Sequence, residues 1–273
     1  MYYQLFNNAI YYQFNNINIL KTLNNKHNVK EISIYYTNLT ELPNLDKFIN
    51  LEILKCSNNQ LIKLPKLSNT LLELHCNKNK LLKLPKLPNL KLLYCDDNLL
   101  PELPNLPFTL TLLHCSYNKL IELPELPNKV NYFHCNNNQL TKLPELPNNL
   151  IHLYCNNNNL TQLPVLSINL KHLYCENNEL TKLPELPINL HYLNCSFNKL
   201  TQLPKLPNKL KDIILNNNYK NLNKYIIQCK NLYIHKKYNK YYCIDKLNDL
   251  LNYNIENYYY IHIFKYYDKY NNY

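Results

Sequence analysis

The sequence "NNLIHLYCNNNNLTQLPVL", residues 148–166, recurs in near copies along the chain, each with a cysteine at the same place. Successive cysteines are separated by 20, 19, 20, 20, 20, 20 and 20 residues: Cys56, Cys76, Cys95, Cys115, Cys135, Cys155, Cys175 and Cys195. A fixed internal period is the signature of a repeat architecture, in which one small unit is stacked many times. We therefore expect the 273-residue chain to be a stack of repeats rather than ordinary globular domains.

Each repeat fits the pattern L-x-x-L-x-C-x-x-N-x-L-x-x-L-P-x-L-P-x-x, whose positions we number from the first leucine. The repeats begin at Leu51, Leu71, Leu90, Leu110, Val130, Leu150, Leu170, Leu190 and Leu210, with a degenerate earlier one at Val29. Near the cysteine, apolar and polar residues alternate, which predicts a short strand with one buried side. Positions four and six then point into the core, and positions two, three and five are accessible.

The second half of each repeat carries prolines three residues apart and has no helical periodicity. Because proline lacks an N–H donor and fixes φ, this half is expected to be extended or polyproline-like. Leucines at positions fourteen and seventeen are expected to close the back of the core: Leu143, Leu163, Leu183, Leu146, Leu166 and Leu186.

The pattern resembles the leucine-rich repeat, and in particular the short class with an L-P-x-L-P signature found in bacterial type III secreted effectors. The resemblance covers residues 29–219, in about ten units. It implies a repeat solenoid, a right-handed leucine-rich repeat horseshoe with a parallel β-sheet on its concave face and an extended convex side. It also implies that the asparagine at position nine bonds the backbone of neighbouring coils, at Asn59, Asn79, Asn98, Asn118, Asn138, Asn158, Asn178, Asn198 and Asn218.

Both ends of the repeat region depart from the pattern. The first unit has Thr37 at position nine and is 22 residues long, and the last has Lys220 where a core leucine belongs. Open ends of a stack expose apolar faces unless they are capped. We therefore expect an N-terminal cap in residues 1–28 and a C-terminal cap or tail in residues 220–273, both short helical or irregular, with a short helix in "IDKLNDLL", 244–251.

The cysteine row is predicted to be core filler, because position six points inward and a thiol behaves as a small apolar group. Stacked strands lie about 4.8 Å apart, whereas the Cβ atoms of a disulfide prefer about 3.8 Å. The "HC" pairs, such as His134-Cys135, cannot share a metal ion because successive strand residues face opposite sides. The sequence also has no C-x-x-C cluster, so we expect neither a metal nor another cofactor.

The formal charge of +11 is spread along the chain, with +2 in residues 1–40, +4 in 41–210 and +5 in 211–273. The sequence contains no arginine, which removes the bidentate group that reads phosphate and guanine. Weak nucleic-acid binding through the net charge is kept only as an alternative.

The start of the sequence lacks a basic region, an apolar run and a cleavage site, and no 18-residue apolar stretch occurs in the chain. We expect a protein without a membrane partner that folds in a reducing cytoplasm. The asparagine-, tyrosine- and lysine-rich, glycine-free composition is similar to that of leucine-rich repeat proteins of amoeba-infecting giant DNA viruses, which implies the cytoplasm of a host cell.

The accessible strand positions are rich in rings: His75, Tyr94, His114, Tyr132, His134, His152, Tyr154, His172, Tyr174, His191 and Tyr192. Tyrosine and histidine offer contact area and a polar tip at small entropic cost, as protein interfaces require. We therefore predict a monomeric, non-enzymatic protein–protein interaction module that binds its partner on this concave face. The alternative is that the rings only pack against each other on an exposed sheet.

Two further hypotheses remain open. The pairs His114/His134 and His152/His172 fall on adjacent strands and could chelate a metal or sense pH. Effectors that resemble this class can carry a ubiquitin-ligase domain with a C-x-D motif, and Cys243-Ile244-Asp245 has that spelling. The same letters occur within a repeat at Cys95-Asp96-Asp97, and too few residues follow the repeats for the helical ligase domain.

Overall fold

A computed structural model describes the strands 2–6 and 9–13, residues 26–215 and 218, and the strands 232–236, 240–244 and 260–264. These residues divide between two compact units, Met1–Leu150 and Ile151–Tyr273. Both units are built from coils, each coil being one repeat that contributes one short strand.

The described residues of the first unit form eight strands and one 3₁₀ turn, Lys26–Asn28. The strands are β1 Tyr2–Phe6, β2 Ala9–Gln13, β3 Val29–Ser33, β4 Ile53–Lys55, β5 Glu73–His75, β6 Leu92–Tyr94, β7 Leu112–His114 and β8 Tyr132–His134. β1 and β2 are antiparallel, whereas β2 to β8 pair in parallel in chain order.

The second unit contains the strands β9 His152–Tyr154, β10 His172–Tyr174, β11 Tyr192–Asn194, β12 Asp212–Ile214, β13 Leu232–Lys236, β14 Lys240–Ile244 and β15 Tyr260–Phe264. β9 to β12 are parallel neighbours in chain order. β15 pairs antiparallel with β12 and with β13, and β13 pairs antiparallel with β14.

The repeat strands β4 to β12 each cover positions three to five, and the middle residue is buried. The next residue, cysteine at position six, is completely buried in all eight repeats that carry one. Its backbone N–H donates to the following coil, as from Cys76 to the carbonyl of Tyr94 at 2.8 Å. The predicted inward placement of positions four and six is therefore confirmed.

A sharp bend follows position six, because position eight takes a left-handed backbone conformation in nine successive repeats. The φ angles lie between 51° and 56° at Tyr36, Asn58, Lys78, Asp97, Tyr117, Asn137, Asn157, Asn177 and Phe197. Glycine would enter this region without steric cost, but the sequence has no glycine. Asparagine is the next most tolerant residue, which explains part of its abundance in the repeats.

The asparagine at position nine ties each coil to the previous one. Asn118 Nδ2 lies 3.0 to 3.1 Å from the carbonyl oxygens of Cys95, Cys115 and Ser116, and its Oδ1 accepts from the N–H of Leu100 at 3.0 Å. In the first coil, Thr37 donates its N–H and hydroxyl to Asn59 Oδ1. These bonds satisfy backbone groups that the tight bend would otherwise leave without partners.

The proline half of each described repeat has no regular secondary structure beyond bends and turns. Leu143, Leu163 and Leu183 at position fourteen are buried, as is Leu166 at position seventeen. Leu146 and Leu186, also at position seventeen, are only half-buried. The leucines of this half thus close the core, less completely at position seventeen.

The end regions contain strands where the sequence analysis expected helical or irregular caps. β1 and β2 lie before the first repeat, and β13, β14 and β15 follow the last one. Of the predicted helix 244–251, only Ile244 is described, at the end of β14, and the other residues lie outside the described part. Tyrosine-rich, β-prone segments beside a sheet edge favour strand addition. Among the described residues, no helix has the length and apolar character needed to cross a membrane.

Candidate functional site: the ring-bearing side of the strands

Positions three and five flank the buried middle residue of every repeat strand, so their side chains share the side opposite the core, which we call the strand face. All eleven predicted site residues lie on or beside it. Ten are half-buried, and Tyr132 is 38% exposed. The face is therefore accessible, with its rings partly covering each other.

Four rings of the first unit form a stack that we call the first ring ladder: His75, Tyr94, His114 and His134. The His75 and Tyr94 ring centroids are 4.4 Å apart with planes at 16°, and those of His114 and His134 are 3.8 Å apart at 19°. Tyr94 meets His114 edge to face at 4.9 Å. The stacking follows from the in-register parallel pairing, which repeats position five every strand spacing of about 4.8 Å.

Five rings of the second unit form the second ring ladder: His152, Tyr154, His172, Tyr174 and Tyr192. Tyr154 stacks on Tyr174 with centroids 4.3 Å apart, and Tyr174 stacks on Tyr192 at 4.6 Å. His152 and His172 stack in parallel at 4.5 Å with planes at 8°. Tyr192 also lies 6.3 Å from His172, so the tyrosine and histidine rows meet at this residue.

Tyr132 and His191 flank these ladders. Tyr132 is at position three of β8, where its Cα pairs with that of Leu112 across the β7–β8 ladder. His191 is at position two, and its buried Nδ1 has no hydrogen-bond partner among the described residues. A partner that reorders this histidine could therefore gain a hydrogen bond.

Four of the ladder histidines, His75, His114, His152 and His172, are neutral at physiological pH. Burial lowers the pKa of His114 to about 4. Burial also lowers the pKa of His152 and His172, and the charge of a neighbouring histidine adds to this effect. For His75, burial again lowers the pKa, and nearby Glu73, 3.5 Å from Nε2, opposes the shift. The ladders thus present uncharged imidazoles.

Three of the tyrosines, Tyr94, Tyr174 and Tyr192, are neutral as well. Burial raises the pKa of Tyr94 and raises that of Tyr192 to about 12. The pKa of Tyr174 is also raised, by burial and then by its tyrosine neighbours. Phenol hydroxyls that stay protonated can both donate and accept hydrogen bonds.

Two carboxyl groups beside the ladders were missed by the sequence analysis. Asp96 and Glu176 occupy position seven, where the other cysteine-bearing repeats have serine or asparagine, and this exception was the available signal. Burial raises the pKa of Asp96 to about 6, although its Oδ1 accepts from the Ser116 N–H at 3.1 Å. Asp96 Oδ2 is also 4.0 Å from His114 Nδ1, but the neutral imidazole forms no ion pair at pH 7.

Glu176 lies at the second ring ladder. Burial raises the pKa of its carboxyl group, and its Oε2 has no hydrogen-bond partner among the described residues. The negative charge of Glu176 contributes to the raised pKa of Tyr192. Each ring ladder therefore has one carboxyl group at its side that ionises less readily than a free carboxylate.

The strand face of the first unit becomes charged before the rings begin. Lys55 Nζ lies 2.8 Å from Glu31 Oε1, and Lys30 pairs with Glu52. The side chains of both pairs are partly exposed, so solvent screens their attraction and each pair contributes only modestly to stability. They do mark a change in surface chemistry along the stack, from ion pairs to neutral rings.

The histidine pairs proposed as metal ligands are indeed adjacent, at His114/His134 and His152/His172. In the part of the chain that the structure describes, no three histidine, cysteine, aspartate or glutamate side chains are grouped so that they could hold a metal ion. The two imidazole rings of each pair instead contact each other by parallel stacking. The pH hypothesis keeps a physical basis, because protonating one imidazole would place a charge against its neighbour.

The eight repeat cysteines are buried, and none of them forms a disulfide. Burial raises the thiol pKa, to about 12 at Cys56 and well above the ordinary value at Cys76 and Cys95. The sulfur of Cys95 lies 3.3 Å from the carbonyl oxygen of His114, so the thiol can donate across the coils. These groups are apolar core, as predicted, and not nucleophiles.

The C-x-D motif of the ligase hypothesis is only partly described. Cys243 lies in β14, where its Cα pairs with that of Tyr233 in β13. Asp245 lies outside the described residues. The copy at Cys95-Asp96-Asp97 belongs to a repeat, with its cysteine completely buried.

Parallel single-strand coils, an apolar leucine and cysteine core and a varied strand face define a class: the chain is a leucine-rich repeat solenoid. The solved structures that it matches agree. YopM from Yersinia enterocolitica is 36% identical with a TM-score of 0.67, and the match covers 68% of this chain and 41% of that chain. YopM from Yersinia pestis, described as a leucine-rich effector protein, is 36% identical with a TM-score of 0.67, covering 70% of this chain and 55% of that one.

The comparisons also have clear bounds. The chain spans only about half the length of the YopM chains that it matches. The functional domain of InlJ from Listeria monocytogenes, described as including a cysteine ladder, is 22% identical with a TM-score of 0.50, over 72% of this chain and 56% of that one. This likeness concerns the fold alone. No protein-family model matches the sequence, and no match was found among curated proteins.

Proposed function

We propose that this chain is a non-enzymatic protein-binding module and that it holds its partner on the ring ladders of the strand face. The observation that carries the proposal is the concentration of stacked, neutral, half-exposed rings on one side of the strands in both units. The similarity to YopM, an effector protein, supports an interaction role for the repeats.

The chemistry of the ladders favours a partner surface that is apolar and able to form hydrogen bonds, rather than one that is highly charged. Neutral imidazoles and phenols supply contact area with polar edges. Stacking holds each ring between its neighbours, so little rotamer entropy remains to be lost when a partner binds. The preformed ladders would thus bind with a low ordering cost.

We also propose that the module works in a reducing cytoplasm, including that of a host cell. All eight repeat cysteines are thiols in the described structure, and each fills the core of a coil. A fold with this many thiols is suited to a compartment in which glutathione keeps them reduced.

Affinity capture with two double variants tests the binding role. One variant changes the first ring ladder, Tyr94→Ala with His114→Ala, and the other changes the second, Tyr154→Ala with Tyr174→Ala. The control, Phe108→Ala with Tyr117→Ala, removes rings that are 71% and 58% exposed but lie outside the strands. Proteins captured by wild type are identified, purified and titrated against all four proteins by calorimetry.

We expect at least one ladder variant to weaken the binding of a captured protein about tenfold or more, since central aromatic contacts dominate interfaces. The control should bind like wild type. If both ladder variants kept wild-type affinity while the control lost it, the partner would lie elsewhere and the proposal would be wrong.

A further inference from the structure

The first unit carries a second accessible surface, on the proline half of its coils and away from the strand face. Positions twelve, thirteen and sixteen of six successive coils are exposed there, and we call this surface the outer strip. Positions fourteen and seventeen between them point to the core, so the exposed positions share one side. The outer strip has three rows, and each row contains one residue from each of the six coils. The row at position twelve runs from residue 40 to 141, the row at position thirteen from 41 to 142, and the row at position sixteen from 44 to 145.

The row at position twelve has threonine at both ends and apolar residues between them, so its order of residue types is nearly the same in both directions: Thr40, Ile62, Leu82, Pro101, Ile121 and Thr141. Ile62, Leu82 and Ile121 are 52%, 57% and 60% exposed. A run of exposed apolar side chains on consecutive coils is unusual on a surface without a partner.

The row at position thirteen is charged in every coil: Glu41, Lys63, Lys83, Glu102, Glu122 and Lys142. If a second copy of this row runs in the opposite direction, every residue of the row faces a residue of opposite charge. The row at position sixteen behaves in the same way: Asn44, Lys66, Lys86, Asn105, Glu125 and Glu145. Its reversal pairs Lys66 with Glu125 and sets every other charge against an asparagine, so no like charges meet.

Neighbouring coils hold these rows in register. β3 to β8 pair in sequence, and the N–H of Leu82 bonds the carbonyl of Ile62 at 3.4 Å. The strands of neighbouring coils lie about 4.8 Å apart, and the bond between Leu82 and Ile62 shows that position twelve follows the same register on these two coils. None of the charged residues in the two rows forms an ion pair with another residue of the described chain.

We propose that the outer strip binds a second copy of this chain in an isologous dimer. The two-fold axis lies in the interface, perpendicular to the stacking direction, between the β5 and β6 coils. Lys63 then faces Glu122 of the second copy, Lys83 faces Glu102, and the apolar row packs on its own reversed copy. In a two-fold interface each such pair occurs twice.

Other arrangements of the same surfaces are excluded by charge. A two-fold axis along the stacking direction would place each lysine against its own equivalent. The repeats of the second unit cannot substitute, because position twelve is threonine at 161, 181 and 201, and position thirteen reads Gln162, Lys182 and Gln202. The self-complementary pattern is thus confined to the outer strip.

The dimer should be weak and sensitive to salt. A contact of six coils is narrow compared with a stable interface of about 800 Å² per partner. Exposed ion pairs are individually weak and are screened at high ionic strength. This association is independent of the ring ladders, and it differs from the monomer that the sequence analysis expected.

Sedimentation velocity of the full chain over a concentration series provides the first test. We expect a monomer–dimer equilibrium at low salt whose dissociation constant rises about tenfold or more when sodium chloride is raised from roughly 0.05 M to 0.5 M. A wild type that stays monomeric at low salt up to several hundred micromolar would overturn the proposal.

Charge reversal provides the decisive test. Variant A carries Lys63→Glu with Lys83→Glu, and variant B carries Glu102→Lys with Glu122→Lys. Each alone should lose dimerisation, because like charges face each other across the two-fold axis. An equimolar mixture should recover a heterodimer, since every reversed residue of A then meets a reversed residue of B.

The control is Lys182→Glu with Lys205→Glu, which reverses two lysines at positions thirteen and sixteen in the second unit. We expect it to dimerise like wild type, with unchanged circular dichroism for all variants since the side chains are exposed. The proposal is overturned if A and B dimerise alone, or if their mixture stays monomeric.

Discussion

The two sides of a repeat strand differ in how much their residues vary. On the inward side, position six is cysteine in eight repeats, and position nine is asparagine in nine. On the outward side, position five changes from lysine at Lys55 through the rings of the first ladder to Asn194. The difference separates two tasks: the constant side determines the coil, and the variable side determines what the surface can bind.

The largest expected effect compares two adjacent residues that point to opposite sides: His134, the last residue of β8, and Cys135, which follows it. Cys135 is completely buried and His134 is half-buried on the strand face. Cys135→Asp would bury a carboxyl group without a partner, which costs several kcal/mol and should unfold the neighbouring coils. Urea unfolding followed by circular dichroism measures the loss.

Two controls accompany this variant. Cys135→Val keeps an apolar group of similar size and should cost less than about 1.5 kcal/mol. His134→Asp places the same charge on the outward side and should leave the unfolding midpoint nearly unchanged. If the two aspartate variants melted alike, the distinction between the two sides would fail.

The position-nine asparagines give the next largest effect. Asn118→Ala removes the amide that contacts three carbonyl oxygens and the Leu100 N–H. Leaving these buried backbone groups without partners should lower the free energy of unfolding by about 3 kcal/mol. Lys119→Ala, at the next and exposed position, should change it by less than about 0.5 kcal/mol. Equal losses in the two variants would contradict the role given to the amide.

The sequence was sufficient to predict the constant side of the strand. The alternation of apolar and polar residues around each cysteine predicted the strand and its inward residues, because burial imposes the same pattern in every coil. The left-handed conformation at position eight was not predicted, since lysine, tyrosine and phenylalanine occupy it beside asparagine. The packing against the next coil decides that conformation, and it is invisible in the local sequence.

The sequence predicted which residues lie on the strand face, but not how their rings stack or whether they carry a charge. The period places His114 and His134 on one face, but their stacking distance of 3.8 Å and the neutral state of His114 depend on how the neighbouring strands pack and bury the rings. The strands beside the repeats were missed because those segments lack the repeat period. Asp96 and Glu176 were missed because position seven had no role in the pattern.

The effect of Asp96 on the free energy of unfolding depends on pH, whereas the effects described above depend on packing and hydrogen bonds. Its pKa in the folded chain, about 6, lies above its ordinary value of 3.8, so ionisation opposes folding. Asp96→Asn should therefore stabilise the protein by about 1 to 2 kcal/mol at pH 7.5. The gain should shrink as the pH falls through 6 and vanish below about 4, where the carboxyl group is protonated in both states.

Urea unfolding of both proteins at several pH values measures this gain. Asn77 and Asn136 occupy the equivalent position in other coils and accept from neighbouring serine hydroxyls, so asparagine fits the site. Asp97→Asn, at the exposed next position, serves as the control for replacing a carboxyl group that is not buried. A gain for Asp96→Asn that is the same at pH 7.5 and pH 4 would rule out a charge effect.

The smallest expected effect concerns Phe197, an exposed residue at position eight, where successive repeats share the same left-handed backbone conformation. Phe197 is 46% exposed and has a φ of 51°, and its carbonyl accepts from the Asn178 N–H at 3.2 Å. A bulky residue pays a steric cost in this region that asparagine largely avoids. Phe197→Asn should raise the melting temperature by about 2 to 4 °C, which corresponds to about 1 kcal/mol. Phe197→Leu loses the ring without easing the backbone and should give no gain, so an equal rise in both variants would assign the effect to the exposed ring instead.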